Sequence, residues 1–183
     1  MDRFSDIFPV RRGRVHEACG ASAYGFAFAL AAQHKGAILW IKEKWQPDQL
    51  NPAGLDDFIS PGAILVAQGK DQPEVLASAE EALRSGAVSL TILELSKPLS
   101  LTAGRRLQLA AETGQATGLC LIQDGMGSNA AETRWQCEPL FGGADSTLQR
   151  WSIIKNKTGT LASWDVRWDA KTRRIIVVSK AGK

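Results

Sequence analysis

The chain has 183 residues, 44% apolar and 22% charged, enough to close one core and short for two domains of ordinary size. It has no apolar run near the roughly 20 residues a membrane helix needs, no basic-then-apolar signal at its start, and only His16 and His34 beside the scattered Cys19, Cys120 and Cys137. That argues against membrane contact, secretion, a disulfide scaffold and a local zinc module, and leaves the expectation of a cytoplasmic protein with no metal or other cofactor. The net charge of +3 is unevenly spread: from Arg150 onward nine lysines and arginines face only Asp165 and Asp169, a cluster that fits nucleic acid, an acidic protein face or a solvated hairpin.

Residues 14–19 read as a short strand, 20–25 as a glycine-bounded loop and 26–33 as a helix of small residues. Residues 37–41 are apolar throughout, as in a parallel strand covered by helices on both faces. Residues 42–61 hold Pro47, Pro52 and Pro61 and read as a long connection with at most one helical turn near 55–59, the part of the chain expected to move most. A third strand follows at 63–67. The next helix, over 72–85, puts Val75, Leu76, Ala79 and Leu83 on one face. After a fourth strand at 88–95, a helix over 102–113 opens on Thr102 as its cap, turns Leu107, Ala110 and Ala111 inward, and leaves Arg105, Arg106 and Glu112 wet. A fifth strand lies at 118–122, and this alternation implies a mainly parallel α/β sheet with right-handed crossovers.

Past the glycine-rich run Asp124-Gly125-Met126-Gly127-Ser128, the segments 133–138, 149–155, 163–168 and 174–178 read as strands without intervening helices, so this half is expected to be antiparallel. Trp164, Val166 and Trp168 alternate with Asp165 and Arg167, the mark of a strand with one buried face, and 169–172 reads as a tight turn.

Gly20 and Gly25 have the spacing of the glycines in a phosphate-binding GxxxxGK[ST] loop, set between a strand and a helix. The next two positions, where that chemistry needs a lysine for the terminal phosphates and a hydroxyl for magnesium, hold Phe26 and Ala27. Without both groups, neither tight Mg-ATP binding nor hydrolysis is expected. Glu94 ends the fourth strand where a nucleotide-binding fold keeps a metal-holding carboxylate, and Glu43, just past the second strand, lies near where a water-activating acid would sit. Cys19 beside the helix start is in a place that lowers thiol pKa, but His16 and Cys19 face opposite sides of their strand and form no dyad. Trp45, beside Lys42 and Lys44, suits a partner pocket or a base stack, and Arg105 and Arg106 read as a solvated helix start or a partner face.

The strand 118–122, the glycine-rich loop, the strand 133–137, and 151–154 running into Lys155-Asn156-Lys157 follow the order of a RecA core's last parallel strand, DNA-contacting loop, closing hairpins and Lys-Asn-Lys element. Together with Val15-His16-Glu17, the run 101–112, Ala130 to Trp135 and Trp164 to Asp169, they make the chain resemble the ImuA family of bacterial inducible-mutagenesis cassettes over about residues 14–168. The resemblance implies a RecA-like, SulA-like core: one domain over 14–183 after a short arm at 1–13, with a degenerate phosphate loop. It also implies a non-catalytic partner of ImuB, RecA and an error-prone C-family polymerase in damage-induced translesion synthesis. Lys155, Asn156 and Lys157 would then reach across a subunit boundary, with Arg105, Arg106 and Trp45 as further partner contacts. The alternatives are a SulA-type division inhibitor, direct single-stranded DNA binding through the basic tail and the 124–128 loop, and a residual ATPase using an unconventional lysine.

Overall fold

The first two thirds of the chain supply five parallel strands, four of them buried and β3 largely exposed at the sheet's end: β1 (Val15–Cys19), β2 (Ile38–Glu43), β3 (Ile64–Gly69), β4 (Leu90–Glu94) and β5 (Thr117–Leu121). They alternate with α2 (Ala23–Ala31), α3 (Pro52–Leu55), α4 (Gln72–Ser85) and α5 (Leu101–Gly114), and α1 (Phe4–Ile7) precedes them. β6 (Thr133–Pro139), β7 (Gln149–Asn156), β8 (Ser163–Asp169) and β9 (Arg174–Lys180) complete one sheet in the order β3-β2-β4-β5-β1-β6-β7-β8-β9. The computed structural model describes residues 3–141 and 146–180; Met1 and Asp2 of the expected arm and Lys183 of the basic tail lie outside them. The expected RecA-like architecture is the one observed, a largely parallel sheet flanked by helices with an antiparallel hairpin region at the C-terminal side. No helix among the described residues is long and apolar enough to cross a membrane.

The segment after residue 128 is not wholly antiparallel, because β6 lies parallel beside β1, pairing Glu17 with Arg134 and Cys19 with Gln136. The connection 122–132 carries the chain back along the sheet, so β6 starts where β1 starts; a five-residue strand is only about 17 Å long, and the eleven residues span it easily. Strands β1 to β6 therefore all end at one edge of the sheet. β7 runs the other way and ends at the opposite edge.

Caps explain most helix bounds. Asp71 accepts the Glu74 N–H (3.0 Å) at the start of α4, and Gly86, with φ +65°, closes it. The cap of α5 is Ser100, which accepts the Ala103 N–H (3.1 Å), rather than Thr102. Within 42–61 a helical turn lies at 52–55, started by the Asn51 side chain and Pro52, and the expected turn at 55–59 follows it, closed by the Ile59 N–H on the Leu55 carbonyl (2.9 Å). This connection is tied down: Phe58 stacks on Trp168 (4.6 Å), and the Asp57 carbonyl accepts the Trp168 indole N–H (3.2 Å).

The two faces of the sheet carry separate cores. On the α2 face Trp135, Trp151, Trp164 and Trp168 pack with Phe26, Leu30 and Ile38, and α1 adds Phe4 against Trp164. On the other face α4 and α5 bury Val75, Leu83 and Leu107 against Ile41, Leu93 and Cys120.

His16 on β1 joins the arm to the sheet. Its Nε2 donates to the Arg11 carbonyl (2.9 Å) and its Nδ1 accepts from the Thr133 hydroxyl (2.7 Å), which fixes the neutral tautomer. Complete burial holds the imidazole down to about 4. The folded protein thus resists a proton that the unfolded chain accepts. Stability is fully present above the unfolded pKa of 6.5 and is lost as pH falls toward and through about 4. Urea unfolding at pH 7 and pH 4.5 should show this loss, and His16→Gln should flatten it.

Candidate functional site

The turn between β1 and α2 is pressed against β6. Gly20 has φ +90°, and a Cβ there would lie 2.4 Å from the Cys137 carbonyl oxygen and 2.6 Å from Glu138 Oε1. The Ser22 N–H donates to the Cys137 carbonyl (2.9 Å) and the Ala23 N–H to Gly20 (3.1 Å), so two amides that could face an anion are used inside the chain. α2 begins at Ala23 rather than Phe26, which corrects the expected six-residue loop: Gly25 lies in the first helical turn, against the Gln149 side chain. Phe26, at the lysine position, points into the core, 4.7 Å from the Trp151 ring and 5.1 Å from Trp135, and Ala27 beside it is equally buried. An anion entering this turn would also meet the Glu138 carboxylate.

Glu94 stands at the end of β4 as expected, and both of its oxygens are answered from within. The Tyr24 hydroxyl donates to Oε2 (3.0 Å) and the Trp40 indole N–H to Oε1 (2.6 Å), while the two rings stack at 5.9 Å. Burial, then the charge of Glu94, pushes the Tyr24 phenol well above its ordinary pKa, which keeps it a donor. A cavity of about 180 Å³ remains between the turn and the ends of β4 and β5, lined by Gly20, Tyr24, Gln46, Glu94 and Gln123 among others. Tyr24, the single tyrosine of the chain, and Trp40 are the site residues that sequence reasoning missed. Their only signal was that strand alternation puts Trp40 and Glu94 on the α2 face.

Glu43 points to the opposite face, where it accepts the Ser96 hydroxyl, and Ser96 also reaches Gln72 (3.4 Å). The two carboxylates lie on opposite faces of the sheet. Among the described residues no three His, Cys, Asp or Glu side chains converge to hold a metal. The expectation of an acidified Cys19 is overturned: burial and the neighbouring Asp124 push the thiol up to about 12.

The Lys155-Asn156-Lys157 element lies at the far edge of the sheet from this turn, because β7 runs opposite to β1. Lys155 donates to the Ala131 carbonyl and Lys157 to the Ala130 carbonyl (2.7 Å). Asn156 Oδ1 accepts the Thr158 N–H (3.2 Å). Partial burial, then the charge of Lys157, lowers the Lys155 pKa. The glycine-rich connection before β6 is fastened as well: Glu17, only 1% exposed, accepts the Ser128 N–H (2.8 Å) and Arg134 Nε (2.8 Å).

The remaining candidates stand apart from these places. Trp45 is 61% exposed on the turn after β2, at the same edge as Glu94. Arg105 and Arg106 lie on the solvent side of α5, with Arg106 paired to Glu80 (2.8 Å). The structure therefore brings Gly20, Gly25, Glu94 and Trp45 to one edge and Lys155, Asn156 and Lys157 to the other.

No protein-family model matches the chain. Two proteins named Protein ImuA, from strains NA1000 / CB15N and ATCC 19089 / CIP 103742 / CB 15 of Caulobacter vibrioides, are each 28% identical to it over 124 residues, 68% of this chain and 48% of theirs. The chain spans about half the length of the curated relatives it matches. With the sheet order and the turn already described, this match makes the chain distantly similar to ImuA proteins.

Proposed function

We propose that the chain is a non-catalytic RecA-like accessory protein of inducible mutagenesis, an adaptor or cap that works beside ImuB, RecA and an error-prone polymerase. The observation that carries this reading is the filled nucleotide end: Phe26 is built into the core, and Tyr24 and Trp40 take both oxygens of Glu94. The opposite edge keeps Lys155 and Lys157 beside each other. By its resemblance to RecA such a protomer offers one edge to an active neighbour while its other edge cannot hold the triphosphate that would bind the next. It stops a filament where it docks.

Calorimetric titration with ATP, with and without magnesium, is expected to give no saturable heat. Micromolar affinity, or a turnover abolished by Glu94→Gln, would overturn the reading. Charge reversal at Lys155 and Lys157 should weaken association with RecA by about tenfold or more in a pull-down or interferometry assay. The Lys155→Met and Lys157→Met pair controls for lost carbonyl contacts, and unchanged association on reversal would count against a docking role for this edge.

A further inference from the structure

The sheet is open at both ends, at β3 and at β9, and the two ends are built differently. A sheet edge presents unpaired N–H and C=O groups to any strand that meets it, and proteins blunt such edges with charge or with a bulge. β9 has both: it opens on Arg174 and ends on Lys180, and its pairing with β8 slips between Asp165 and Val166. β3 has neither. Its six residues, Ile64-Leu65-Val66-Ala67-Gln68-Gly69, carry no charge and no proline, and they pair with β2 in unbroken register. Leu65 is 54% and Val66 55% exposed, and strand alternation puts them on opposite faces, so this rim is apolar above and below.

The chain's own arm does not fill this edge, because Phe4 against Trp164 and the Arg11 carbonyl on His16 hold it beside β1 and β8. β9 of another copy would bring cations to a strand that has no carboxylate to receive them. A second β3 meets no such conflict. In a two-fold antiparallel pair centred on Val66, Val66 faces Val66 and Leu65 faces Ala67 of the second copy, apolar against apolar on both faces of the sheet. Lys70, the first charge after the strand, then lies opposite Gly62 of the second copy. At 3.3 Å per residue the two Lys70 positions are about 26 Å apart, far beyond the screening length of about 8 Å. A strand that is uncharged throughout and apolar on both faces is thus complementary to itself.

We infer that β3 is a self-association edge: two copies of the chain join β3 to β3 about a two-fold axis, antiparallel, and carry one sheet through both. Strand pairing over six residues falls short of the roughly 800 Å² per partner of a standard interface, so the dimer is reversible, with a dissociation constant of about micromolar order. The inference is independent of the reading of the nucleotide end, and β3 is separated by five strands from β7, which carries Lys155 and Asn156.

Sedimentation velocity of the full chain over a concentration series should show a monomer and dimer in equilibrium. Val66→Lys and Val66→Glu, at a position exposed in the monomer, should each raise the dissociation constant about tenfold or more while leaving the thermal melt of dilute protein in place. Mixed together, the two variants should dimerise again, because the two-fold axis sets position 66 against itself and opposite charges then meet. Leu65→Lys should weaken the dimer from the other face, and Val177→Lys on β9 should not. A monomer at every concentration, a dimer that neither Val66→Lys nor Leu65→Lys weakens, or a lysine and glutamate mixture that stays monomeric would overturn the inference. So would growth past the dimer that Val177→Lys stops, since β3 would then pair with β9.

Discussion

Glu17→Ala is expected to lower the free energy of unfolding by about 3–5 kcal/mol, because it strands a partly buried guanidinium without its counter-charge. Glu17 holds Arg134 Nε and the Ser128 N–H at 2.8 Å each, and Arg134 closes the ring by donating to the Ser128 carbonyl at 3.0 Å. The arrangement is dense: a Cβ on Gly127 would fall 1.7 Å from the guanidinium carbon of Arg134, so a larger residue there would push Arg134 off Glu17. Removing the carboxylate leaves the buried Ser128 amide without its acceptor and Arg134 without its counter-charge. Replacing both charged partners, in Glu17→Leu with Arg134→Met, should cost less than the single change, since neither partner is left desolvated alone. Urea unfolding measures the loss, and hydrogen exchange should rise across 123–132. A loss under about 1 kcal/mol, the range of an exposed pair, would show that the contact does not fasten this loop.

Phe26→Lys restores the lysine of a phosphate loop on paper and should destroy the protein in practice. The ring is fully buried among Phe8, Trp135 and Trp151 at 5.6, 5.1 and 4.7 Å. Emptying such a position costs about 3–5 kcal/mol, and an unpaired ammonium adds a desolvation penalty of several more. The sum approaches the whole stability of a domain, about 5–15 kcal/mol. Thermal melts of purified protein should show a large drop or no transition at all, whereas Phe26→Leu should keep a cooperative melt with a modest loss. A folded Phe26→Lys variant that binds Mg-ATP would mean that the turn can still open into a phosphate cradle.

The alternation of strands and helices was legible because strands buried on both faces are nearly continuous apolar runs, as at residues 38–41 and at 90–93, where Thr91 is the one polar residue. The bounds of α4 were legible for a second reason: Asp71 and Gly86 are residues that start and stop a helix by their own chemistry. Glu94 stood out as an acid closing an apolar run. Its partners did not, since Tyr24 reaches it only because α2 starts at Ala23, and that start depends on Gly20 and Ser22 meeting β6 more than a hundred residues later. The Glu17 and Arg134 pair is separated by 117 positions and leaves no local trace. Lys155 and Lys157 are visible in the sequence as cations, but the carbonyls of Ala130 and Ala131 that receive them are supplied by where another connection happens to run. The direction of β6 was misjudged on the same grounds, because strand pairing partners are chosen by the path of the connection and not by the strand's own residues.

The stacked Tyr24 and Trp40 on Glu94 also bear on timing. In a protein switched by nucleotide, hydrolysis of the triphosphate to diphosphate and phosphate can time its release from a partner. Tyr24 and Trp40 hold Glu94 as fixed parts of the chain, and no hydrolysis releases them. On the adaptor reading the protein carries no internal clock, so the lifetime of any complex it forms follows from its dissociation rate and its abundance in the cell.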